Sequence, residues 1–211
     1  IFYIIACVTV LGMNAELLPG AISSVLTSAF SSTAATGGFA GATIMLALQA
    51  GVARGVFSNE SGLGSAPIAA AAAKTDSCVE QGLVCMTGTF FDTIIICTMT
   101  GLTLVVTGVW QGDTAGAAMT NLAFTQGLAS QLGLYLVNIG LLFFAFTTII
   151  GWNYYGERCT EYLLGVKAIK PYRCLFVLLV AVGALLHLDM IWLLADIVNG
   201  LMAIPNLIGL I

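Results

Sequence analysis

Residues 57–67 read Phe-Ser-Asn-Glu-Ser-Gly-Leu-Gly-Ser-Ala-Pro, a cluster of hydrogen-bonding side chains, glycine and proline inside a stretch otherwise apolar enough to enter a bilayer. Backbone that leaves the helix at such a depth must be buried in protein or line a wet cavity, because an unsatisfied N–H or C=O there costs on the order of several kcal/mol. Freed carbonyls along Phe57–Gly64 can meet a cation, and the N–H groups of Gly62–Ser65 can meet an anion such as a carboxylate. The plainer reading is a loop joining two shorter helices, with Asn59 and Ser61 as caps.

Four further places could carry chemistry. Arg54 is either a ligand or one half of an ion pair, with Glu60 or Asp92 as the other half. Asp92, followed by Thr93, is an isolated carboxylate inside an apolar run and asks for a cation, whether sodium or Arg54. Thr147 and Thr148 offer adjacent hydroxyls of the hard-oxygen type that small cations take, and Trp152 shares a helical face with Thr148. Hydroxyls that bond back to the i−4 carbonyl and a tryptophan at the membrane interface are the ordinary alternatives. Asp196 and Asn199, spaced i, i+3, read as glue between helices. Ser65 and His187 would be the pair of an intramembrane serine hydrolase, but no Gly-x-Ser-x-Gly elbow surrounds Ser65.

The elements that must position these residues are membrane helices. Of the 211 residues, 59% are hydrophobic and 8% charged, against about 25% charged in a soluble domain. A bilayer core of about 30 Å takes roughly 20 apolar residues per helix. The pattern predicts the end of a preceding helix at 1–13 and an extracellular segment at 14–40 with a turn at Gly37-Gly38. A broken helix follows at 41–73, with further spans at 82–109, 133–155, 174–188 and 190–205. Arg158, Lys167, Lys170 and Arg173 fall in one loop, which the positive-inside rule places in the cytoplasm. The six cysteines are scattered without metal-ligand spacing, and nothing forms a basic nucleic-acid surface.

The runs GGFAGAT (37–43), GVARGVFSNESGLGSAPIAAAAAKTD (51–76), TGTFFDTIIICTMTGL (87–102) and FAFTTIIGWNYYGER (144–158) resemble the alanine or glycine:cation symporter family. The resemblance implies an all-α, polytopic membrane helix bundle, the second inverted repeat of a leucine-transporter-type fold of the amino acid-polyamine-organocation superfamily. It implies sodium-coupled symport of alanine or glycine across a bacterial or archaeal cytoplasmic membrane, with no enzymatic activity. It places Phe57, Ser58, Asn59, Glu60, Gly62, Gly64 and Trp152 at the substrate, and Thr147, Thr148 and Asp92 at Na+. It also implies that an N-terminal half supplies the rest of the site. A channel or scaffold subunit, which would need these polar groups only for packing, is the alternative.

Overall fold

The computed structural model describes residues 1–30, 40–60 and 62–211, so the turn expected at Gly37-Gly38 lies outside the described residues. All regular structure among the described residues is helical, the one open-ended arrangement in which backbone groups satisfy each other without water. In chain order the helices are α1 (Phe2–Met13), α2 (Leu18–Phe30), α3 (Ala40–Asn59), α4 (Ala66–Ala70) and α5 (Cys78–Thr89). A π-helical segment, Phe90–Cys97, joins α5 to α6 (Thr98–Val106). Then follow α7 (Gly116–Gly127), α8 (Leu132–Leu164), α9 (Ile169–Gly183) and α10 (Leu188–Gly209).

Three stretches among the described residues are long and apolar enough to cross a membrane: Cys78–Val106, Leu132–Leu164 and Leu188–Gly209. A fourth is counted if Phe2–Met13 and Ala15–Thr27, bent by 76° at Asn14, form one broken span. Neither α3 nor α9 is among them; α9 has 15 residues, about 22 Å of helix against a core of about 30 Å. The 33 residues of α8 reach about 50 Å, which carries its charged end past the hydrocarbon. Large apolar side chains such as Leu142 and Phe143 are more than 60% exposed. Surface of that kind belongs against lipid or protein, and the chain is a multi-pass membrane protein.

The chain divides into two compact units, residues 1–50 with 88–145 and residues 51–87 with 146–211. The first packs α1, α6, α7 and the start of α8 around Val10, Phe124 and Val137, all fully buried. The Thr100, Thr103, Thr107 and Thr125 hydroxyls donate back to carbonyls one turn earlier, and the Tyr3 hydroxyl meets Thr100 Oγ1 at 2.8 Å, tying α1 to α6. Helices approach closely through small residues: a Cβ on Gly133 would overlap the Phe124 carbonyl.

The second unit holds the end of α3, the break, α4, the rest of α8, α9 and α10. Its α8–α9 seam is fixed by Glu157, 4% exposed, whose carboxylate accepts from Arg173 Nε and Nη2 and, at 2.7 Å, from Asn153 Nδ2. Gly156 lies one residue away because any Cβ there would overlap the Tyr172 hydroxyl.

Candidate functional site

The break after α3 is built from three residues in the left-handed region: Glu60 at φ +52°, Gly62 at +76° and Gly64 at +80°. Glycine adopts that conformation freely, whereas a Cβ makes it costly. Ser61, between them, lies outside the described residues. The chain turns helical again at Ala66 with Pro67 in the first turn, where proline's missing N–H leaves no bond unmade. On α10, Asn206 follows the in-helix Pro205, and its Nδ2 donates to the Gly62 carbonyl at 3.1 Å. A Cβ on Gly64 would sit 3.1 Å from Asn206 Oδ1. Gly64→Ala therefore combines left-handed strain of about 1–2 kcal/mol with a push on Asn206. The expected result is a melting temperature lowered by several degrees in the purified full-length protein, and a larger loss of transport than of expression.

Asn59 Nδ2 donates back to the Gly55 carbonyl at 3.1 Å, at the end of α3. Ser65, just before α4, makes no side-chain capping bond. It is 1% exposed, and its hydroxyl has no hydrogen-bond partner among the described residues. No bond therefore links it to His187, which stands at the N-terminal end of α10.

Upstream of the break, two residues of α3 meet two of α10. Arg54 reaches both carboxylate oxygens of Asp196, at 2.9 and 3.3 Å, and its guanidinium lies 3.9 Å above the Trp192 ring. Phe57, one turn on, meets Trp192 edge-on at 6.0 Å and stacks on Trp152 of α8 at 6.3 Å with 17° between the planes. The i, i+3 spacing on α3 and the i, i+4 spacing on α10 put each pair on one face, so the register of the two helices is fixed at two points. This corrects one expectation, since the carboxylate that holds Arg54 is Asp196 where the sequence pointed to Glu60 or Asp92, and it agrees with another, since Asp196 does join two helices. Sequence spacing could not show the pair, because its members are 142 residues apart. The usable signal was that each is an isolated charge of opposite sign in apolar surroundings.

Thr148, Trp152, Tyr155, Gly156 and Cys159 follow a helical stripe along α8. Tyr155 meets the Trp152 ring edge-on at 5.8 Å and neighbours the Glu60 carboxylate. Beside the stripe is a cavity of about 450 Å³ whose wall includes Gly64, Ser65 and Trp152. The structure thus brings Phe57, Gly62, Gly64 and Trp152 together with Arg54, Trp192 and Asn206, three residues that were not expected at the site. Thr147 and Thr148 stand on α8 in the same unit, one turn before Trp152. Ser58, at the end of α3, is exposed. Asp92 is half-buried in the π-helical segment of the first unit, a distortion that often marks functional positions. Among the described residues no group of three or more His, Cys, Asp or Glu could hold a metal ion.

Residues 1–211 match the model of the sodium:alanine symporter family. The chain is 59% identical to an uncharacterized transporter of Haemophilus influenzae and 50% identical to the sodium/alanine symporter AgcS of Methanococcus maripaludis, with all of this chain and 46% of each relative covered. It is 36% identical to the probable sodium/glutamine symporter GlnT of Bacillus subtilis, over all of this chain and 43% of that protein. The chain spans just under half the length of these relatives. It belongs to the sodium:alanine symporter family, whose members are transporters, not enzymes.

Proposed function

We propose that this member of the sodium:alanine symporter family serves sodium-coupled uptake of a small neutral amino acid, alanine or glycine, across a bacterial or archaeal cytoplasmic membrane. The observation that carries the reading is the broken helix beside an aromatic wall: three left-handed residues at 60–64 next to the Phe57–Trp152 stack. The relatives are named for different substrates, alanine for AgcS and glutamine for GlnT. A narrow aromatic wall favours the smaller class. The fold proposed is the second inverted repeat of a leucine-transporter-type bundle, so the residues here form one side of a site that an N-terminal half completes.

In this reading the freed N–H groups of 62–65 receive the amino-acid carboxylate, Phe57 to Gly64 line the substrate, and Trp152 sets the room for its side chain. Sodium is a cargo ion. The Thr147 and Thr148 hydroxyls are oxygen donors suited to it, and Asp92 is a further carboxylate toward a cation. A membrane potential supplies about 2.3 kcal/mol per charge per 100 mV. One sodium entering with a zwitterion at 100 mV therefore supports roughly 50-fold accumulation.

The test is uptake of labelled alanine into proteoliposomes holding the full-length transporter, with and without an inward sodium gradient. Gradient-driven accumulation is expected; no uptake of alanine or glycine under any cation gradient would leave the channel or scaffold reading standing. In the same assay Thr148→Ala should raise the sodium concentration needed for half-maximal uptake by about tenfold, roughly 1.4 kcal/mol, with expression unchanged. An unaltered sodium dependence would remove Thr148 from the ion site.

A further inference from the structure

A hydroxyl on a membrane helix ordinarily donates to a carbonyl one turn back, as Thr100, Thr103, Thr107 and Thr125 do. Ser65 departs from this. It has helical dihedrals, φ −77° and ψ −43°, directly before α4, and it is 1% exposed, yet its hydroxyl has no partner among the described residues. The Gly62 carbonyl, three residues back, accepts from Asn206 Nδ2 instead. Ser65 forms part of the wall of the 450 Å³ cavity, which also includes Trp152 and Met202. Among the described residues no charged side chain lines that cavity, and its wall is mostly aliphatic and aromatic. A buried donor in such surroundings weakens the fold unless an acceptor reaches it. A few polar groups in an apolar cavity are the arrangement that orients a small ligand.

Resting on the reading of this cavity as part of the amino-acid site, we propose that Ser65 determines specificity there: its hydroxyl donates to the carboxylate of the substrate, alongside the N–H groups of the break. Carboxylate oxygens are the acceptors that an amino acid brings, and a hydrogen bond to an ionised acceptor is roughly twice as strong as one between neutral groups. An analogue whose carboxylate is replaced by an amide offers a weaker acceptor and gains less from the hydroxyl. Asn206 has an indirect part, because its bond to Gly62 occupies the carbonyl nearest in the chain to Ser65.

This role carries a signature that a structural hydroxyl lacks. Ser65→Ala removes a donor that the fold leaves unsatisfied, so the ligand-free protein should melt no lower than the wild type while alanine binds more weakly.

The experiment measures thermal melting of the purified full-length transporter in saturating sodium, titrated with alanine, glycine and alaninamide. The wild type should be stabilised by alanine at lower concentration than by alaninamide. Ser65→Ala should need about tenfold more alanine for the same stabilisation, with the alaninamide titration changed much less. Ser65→Cys keeps the shape with a weaker donor and should fall between. A wild type that responds to neither alanine nor glycine would overturn the transport reading and this proposal together. A wild type that responds, with Ser65→Ala responding alike, overturns the role of Ser65 alone. An equal loss for alanine and alaninamide does the same, as does a ligand-free Ser65→Ala that melts several degrees below the wild type, since the hydroxyl would then serve the fold.

Discussion

Asp196→Ala is expected to lower kcat/KM for alanine uptake by at least tenfold, about 1.4 kcal/mol, while melting falls only slightly. The ion pair alone is worth little to stability, because both side chains are 41% exposed and such pairs contribute about 0.2–1 kcal/mol. The Arg54–Trp192 contact adds about 0.5–1 kcal/mol at that exposure. What the carboxylate provides is position. It holds the guanidinium over Trp192, Trp192 meets Phe57 edge-on, and Phe57 stacks on Trp152. Without Asp196 the stack loses its fixed end, so the loss should fall mainly on substrate affinity. Arg54→Lys keeps the charge but not the two-pronged geometry and should lie between the wild type and Asp196→Ala. Exchanging the pair, Arg54→Asp with Asp196→Arg, should recover part of the activity that each single change removes. Wild-type uptake by Asp196→Ala would reduce the pair to packing.

The break in the helix was legible because its residue types have few other uses: Gly62 and Gly64 permit left-handed backbone, and Pro67 suits a first turn. Membrane character was legible from composition alone. The shared face of Thr148 and Trp152 followed from helical spacing. Partners from distant segments could not be read in the same way. The sequence offered Arg54 two carboxylates, Glu60 and Asp92, and only packing of α3 on α10 brings in Asp196. Asn206 gives no signal of its own, being an ordinary amide near a helix end until its Nδ2 meets the Gly62 carbonyl. Glu157 and Arg173 read as a solvated polar stretch, yet the carboxylate is 4% exposed; helix ends at a membrane surface still bury polar groups when a bidentate partner satisfies them. The π-helical segment at Phe90–Cys97 could not be read from the apolar pattern, since that pattern marks a span without fixing the number of residues per turn.

Trp152→Ala should change which substrates are accepted. Trp152 stacks on Phe57 on one side, meets Tyr155 edge-on at 5.8 Å on the other, and forms part of the wall of the 450 Å³ cavity. Removing the indole opens space at that wall and removes the surface against which a methyl-sized side chain would rest. KM for alanine is therefore expected to rise by roughly tenfold or more, a smaller cost than the about 3–5 kcal/mol of a core tryptophan truncation because the ring is only half-buried. Larger neutral amino acids, glutamine among them, should become competitors of alanine uptake. Trp152→Phe keeps an aromatic face for Phe57 and should stay near wild type in affinity while widening the range modestly. The discriminating measurement is competition by unlabelled alanine and glutamine in the same proteoliposomes. A parallel loss for both substrates, accompanied by a lower melting temperature, would mean that Trp152 supports the fold, and an unchanged ratio at unchanged stability would place the selecting wall elsewhere. Only a shift in the ratio toward glutamine assigns the selection to this ring, since a defect in folding or in sodium binding weakens uptake without regard to side-chain size.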